Sequence, residues 1–208
     1  MIPPLVCAIL AMRSRKSGFI KLGLGEAQLA PLPEDALVPE PKHGLLEVLE
    51  QVTLEQLVPG LKSRPDGLSV KAGLYQVHNY LDVSHELCQQ ADDAGPNTTA
   101  PYWHGIMHRR EPDYDNARYW FRRVGTHEIF QSVGREVAEF LRDETFAGHL
   151  RFDRVVDRLG HWDAMAFVDL CEECGVSLDE RAQAAAKLQS IEMRVLLEYT
   201  CRAAQGEL

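Results

Sequence analysis

Apolar residues in this chain recur with the spacing of a helix, not of a strand. Leu45, Leu46, Val48 and Leu49 make one apolar face, because positions three and four apart meet on the same side of a helix. No segment alternates apolar and polar residues for long enough to specify a half-buried strand. Polar punctuation then sets the limits of each helix. Thr53 and Gln56 have the form of a capping box, and Pro59-Gly60 ends the short helix they open. Ser69 is expected to cap a helix to about residue 79, with a second over 82–91 that residues 92–96 break. Thr99 is expected to cap the next, with Pro101 in its first turn, where the missing N–H costs nothing, and Pro112 beyond its end. Asp113 opens a helix that Gly125 closes, and Thr126 is expected to cap one to about residue 141. Further helices are expected over 151–159, 162–173 and 178–204. Ser177 and Glu180 would form a capping box for the last, which is rich in Ala, Leu, Glu and Arg.

The N-terminal part reads differently. Pro31, Pro33, Pro39 and Pro41 stand among acidic residues, and proline neither donates to a helix or ladder nor leaves φ free. The expectation is a disordered or extended arm over 1–42, with a Pro-rich linker, and an all-α domain over 43–208. The first dozen residues are apolar, but Arg13, Arg15 and Lys16 follow that stretch. A secretory signal places its cations before the apolar run, and a bilayer needs about 20 apolar residues. No membrane association is expected.

Composition narrows the partners. The 208 residues suffice to bury one core, and a 45% hydrophobic, 25% charged make-up is that of a globular protein, not a disordered one. Thirty-one acidic against 22 basic residues give a net charge of −9, which repels phosphate backbones, so nucleic acid is not an expected partner. The five cysteines are an odd number in a chain too long to need disulfide staples. Reduced thiols in a cytoplasm are the simpler expectation.

Displacing the chain by 33 residues gives a partial self-match: Ala72 falls on Gly105, Tyr75 on His108, Leu81 on Tyr114, Ser84 on Ala117, Cys88 on Phe121 and Ala91 on Val124. A small residue on one helix lets the next approach, and a larger one a turn later fills the gap. The pattern resembles the tetratricopeptide repeat, with Gly105, Ala117 and Phe121 at its small, small and aromatic positions, Ala72, Ser84 and Ala91 at small positions, and Pro96 at the closing proline. Leu68 and Pro101 stand at the opening tryptophan and His108 at a usual tyrosine, and Ile129 replaces the second proline. The match covers about a quarter of the chain. It implies antiparallel helical hairpins in an α-solenoid-like bundle, and an interaction module that presents a groove to a protein or peptide.

Candidate chemistry is densest between Tyr102 and Glu111. His104 and His108, one helical turn apart, share a face, and His85 lies on the preceding hairpin of the repeat. With Glu111 they compose a candidate site for a divalent metal such as zinc, although Gly105 after His104 rules out the HExxH motif. Structural, hydrogen-bonded histidines are the alternative. Cys171 and Cys174 form a lone CxxC late in a helix beside Glu172 and Glu173, a setting that raises thiol pKa values. Arg109, Arg110, Arg122 and Arg123, with the aromatic rings of Tyr102 and Trp103, are expected to make a binding face for a carboxylate or phosphate on a partner. No phosphate-binding glycine loop or GxSxG elbow is present. The leading expectation is therefore a scaffold or adaptor without a cofactor. The competing one is a metal-dependent enzyme built on His85, His104, His108 and Glu111.

Overall fold

The computed structural model describes residues 2–11, 44–142, 154–175 and 180–208, and among these the fold is all-helical. The chain runs through α1 (Pro4–Ala11), α2 (Leu45–Gln51), α3 (Leu54–Leu57), α4 (Arg64–Val77), α5 (Leu81–Asp93), α6 (Thr99–Arg110), α7 (Tyr114–Val124) and α8 (Ile129–Phe140), then α9 (Ala164–Cys174) and α10 (Glu180–Gln205). The Pro-rich segment and the Ser177–Glu180 capping box lie outside the described residues.

Helix starts follow local chemistry, with three corrections. The Thr53–Gln56 box forms as expected, with both reciprocal bonds present. Ser69 is not a cap. Ser63 opens α4 one and a half turns earlier, its Oγ accepting from the Asp66 N–H, and Pro65 occupies the first turn. Ser69 instead donates back to the Pro65 carbonyl at 3.0 Å. Asn97, not Thr99, caps α6 by accepting the Ala100 N–H at 2.7 Å. At α8 the His127 Nδ1 accepts the Ile129 N–H, so Thr126 has no capping role.

Two larger differences concern segments read as arm and helix. Residues 4–11 are not an extended arm: α1 docks against α3 and α4, with Val6 and Ile9 fully buried and the Ile9 carbonyl 2.9 Å from His78 Nε2. Its apolar residues surround the whole helix, so burial on several sides is the only way to remove them from water. Described residues 154–162 form no α-helix. Asp157 folds the chain into a turn by accepting the Leu159 and His161 N–H groups, and Val156 pairs with Trp162 in an isolated bridge. Gly134 on α8 makes room for this turn. A Cβ there would stand 2.1 Å from the Gly160 carbonyl oxygen.

The core centres on α6. Its residues from Thr99 to Arg109 are buried without exception, because α4, α5 and α7 pack around it. The long α10 crosses α4 and α8, contributing Leu188, Leu196, Leu197 and Cys201 to the core. It also closes the molecule, since the Ala204 carbonyl accepts the Lys62 and Ser63 N–H groups at 2.8 and 3.1 Å. None of the described helices is long and apolar enough to cross a membrane.

Candidate metal centre

A helix buried on every side must place its polar groups on stripes, and α6 carries two. Successive residues turn by about 100°, so Tyr102 and Arg109 share one face while His104 and His108 lie roughly 130° away on another.

The histidine stripe faces α5 and α7. His104 and His108 stack at 5.1 Å between ring centroids, and His85 of α5 meets them edge-on at 4.6 and 5.4 Å. One ring nitrogen from each of the three lies within 4.8 Å of the others. Trp120 of α7 covers His104, stacked at 3.8 Å. Neither ring nitrogen of buried His104 has a hydrogen-bond partner among the described residues. That arrangement is costly, because a buried polar atom left unsatisfied forfeits about 1–3 kcal/mol of hydration. Burial, and then the neighbouring His85, His108 and Arg123, push the His104 pKa down to about 3, so at neutral pH both lone-pair chemistry and an uncharged ring are available. His108 is likewise lowered, chiefly by burial, with Asp113 acting in the opposite direction.

Asp113 has a defined place beside His108. Its carboxylate caps α7 through Asn116, whose side-chain amide donates to Oδ2 at 2.7 Å and, above all other influences, holds the Asp113 pKa below the ordinary value. The same Oδ2 stands 3.5 Å from His108 Nδ1. The contact is not a hydrogen bond, since His108 Nδ1 is buried without a hydrogen-bond partner among the described residues. Glu111 stands 4.0 Å from the same Nδ1 and does not join the three-histidine group. Its expected place as a ligand is not what the geometry gives.

The other stripe engages α10 and the 154–162 turn, with Arg109 Nη1 alone of its polar atoms left without a hydrogen-bond partner among the described residues. Glu192 Oε1 accepts the Tyr102 hydroxyl and the Trp162 indole N–H, each at 2.9 Å, and its Oε2 accepts Arg109 Nη2. Arg109 Nε donates to Gln189 at 3.3 Å, and its guanidinium lies 4.4 Å over the Phe167 ring. Burial opposes the Arg109 charge most strongly, but Glu192, Cys171 and Tyr102 together outweigh it and hold the pKa above the ordinary value. Trp103 points elsewhere in the core, its indole donating to Thr200 at 3.1 Å.

Of the expected binding face, Tyr102, Trp103 and Arg109 are therefore interior residues. Their rings and charge are consumed by α10, which a surface reading did not foresee. Arg110 is half-buried and donates to the Gln76 carbonyl and, at 3.1 Å, to Asn79 Oδ1, tying the end of α6 to that of α4. Burial and adjacent Arg109 lower its pKa to about 10. Only Arg122 and Arg123 are exposed, the latter paired with Asp92 at 3.0 Å. The first cysteine of the CxxC offers no reactive thiolate, since burial pushes Cys171 up to about 12.

The chain is thus an all-helical protein with a candidate three-histidine metal centre at the α5–α6–α7 junction. It matches no protein-family model, no curated protein and no solved structure.

Proposed function

We propose that this protein binds a single divalent transition metal of the zinc class through His85, His104 and His108. The observation that carries the reading is the buried His104 ring with neither nitrogen partnered, set among two further imidazoles at ligand spacing. A metal accepts a lone pair from each neutral ring and offsets the unsatisfied burial. Three nitrogen donors suit zinc, whose Zn–N distance is about 2.0–2.1 Å. The ligating nitrogens lie within 4.8 Å of one another, and half-buried His85 is the least enclosed of the three. Metal analysis of untagged protein, followed by Zn²⁺ titration of the stripped form, tests this. A single equivalent should bind to the native chain and fail to bind to His85→Ala and His104→Phe. Unchanged binding in both variants would overturn the reading.

A second reading, an interaction module of tetratricopeptide type in a cytoplasmic setting, has support of its own. The α4 and α5 helices pack together, as do α6 and α7, and a Cβ on Gly105 would stand 3.0 Å from the Phe121 ring, the small-against-aromatic contact that the repeat uses. The surface it leaves for a partner is reduced to Arg122 and Arg123. A reducing compartment fits a chain whose five cysteines form no disulfide. Partner capture that survives Arg122→Glu combined with Arg123→Glu would count against this surface.

A further inference from the structure

The geometry points to a metal centre whose fourth position is open and takes a small oxyanion, a carboxylate or its like, steered by Arg123. This rests on the three-histidine reading and says what that site is for. Structural zinc sites close with four protein ligands, whereas sites that act on an outside molecule hold three and leave one position free. Here, among the described residues, no fourth histidine, cysteine or carboxylate joins the group. Asp113 and Glu111 approach His108 Nδ1 at 3.5 and 4.0 Å without joining the three-histidine group.

The centre also lies close to the surface. His104 is closed off beneath Trp120, and His108 is buried. His85 and Trp120, by contrast, are half-buried, so the site lies just beneath the surface on the α5–α7 side. At that rim stands Arg123. Its guanidinium lies 4.7 Å from the Trp120 ring centre, on a side chain 41% exposed. Trp120 links it to the centre, since the same indole stacks on His104 at 3.8 Å. Three neutral imidazoles leave the metal its full double charge, and a cation beside it adds to a field that selects anions. The guanidinium fork matches a carboxylate. Asp92 now holds one nitrogen of it, with both carboxylate oxygens within 3.2 Å of Nη2. That contact makes Asp92 a competitor for the incoming anion.

The probes are Co²⁺ in place of zinc and sodium acetate as the oxyanion, with the visible absorption of bound cobalt as readout. Acetate should shift the bands saturably. Arg123→Gln should weaken acetate by about threefold to tenfold, the loss expected for one charge-assisted contact near the surface, while Co²⁺ binding persists. Asp92→Asn should tighten acetate by releasing the fork. Cobalt that binds tightly with bands indifferent to acetate would mean a closed, structural site and overturn this inference alone. A response unchanged in Arg123→Gln and Asp92→Asn would remove Arg123 from it. Failure of cobalt to bind at all would overturn the centre itself and the inference with it.

Discussion

Two buried polar regions sit back to back on α6, and they are built on opposite principles. Around Glu192 each carboxylate oxygen has a donor: Tyr102 and Trp162 on one, Arg109 on the other. Around His104 neither ring nitrogen has one among the described residues. The same helix thus carries a network whose central carboxylate is partnered on both oxygens, although Arg109 Nη1 is not, and a cluster in which neither His104 nitrogen has a partner among the described residues. Completed networks fix a fold. Incomplete ones, held in place by packing such as the Trp120 stack, point outward to a ligand.

The sharpest way to break this contrast is at Glu192. Glu192→Gln removes the counter-charge of a guanidinium with no exposed side-chain surface, and an uncompensated buried charge costs about 3–5 kcal/mol. Urea denaturation should show a loss of that order, or no folded protein at all.

The next largest effect is acid sensitivity at His127. This ring stacks on Tyr102 and meets Tyr199 edge-on, with the carboxylate of Glu128 next to it in the chain, and burial lowers its pKa to about 4. The unfolded value is about 6.5. Above pH 6.5 the ring is neutral in both states and its contribution to stability is complete. As pH falls below 6.5 the unfolded chain takes up a proton that the folded chain refuses, and stability is lost until about pH 4. The difference of roughly 2.5 pH units corresponds to about 3 kcal/mol. Denaturation midpoints measured between pH 7 and pH 4 should fall less steeply in His127→Phe.

Zinc should come third. At a free concentration a hundredfold above Kd it should stabilise the native chain by about 2.7 kcal/mol, visible as a raised Tm that chelation reverses and that His85→Ala abolishes. The smallest effect is the most telling. His104→Phe keeps an aromatic ring under Trp120 while removing two unsatisfied nitrogens, so without metal the variant should lie within about 1 kcal/mol of the native chain or above it. A large loss would mean that His104 has a structural partner after all, and the contrast with Glu192 would collapse.

The sequence carried the helical class and most helix limits, because periodicity and caps are local. Thr53, Asp113 and Gly125 act as their residue types suggest. The one-turn spacing of His104 and His108, and His85 one repeat earlier, were legible for the same reason. What distance along the chain decides was not. Tyr102, Trp103 and Arg109 looked like a surface patch because the groups that satisfy them, Glu192 and Thr200, are 80 to 100 positions away on α10. The turn around Asp157 depends on Gly134 of α8 giving it space, and no window of sequence shows that. Asp113 was readable as a cap but not as the neighbour of His108.

The docking of α1 has a practical consequence. Val6 and Ile9 are part of the main core although the described chain resumes only at residue 44. In effect α1 is a peptide ligand for the α3–α4 surface that the same chain carries. A shortened version beginning at residue 44 would present an uncovered apolar trough and tend to self-associate. A synthetic peptide spanning residues 2–11, added in trans, should occupy that trough and restore the monomeric form.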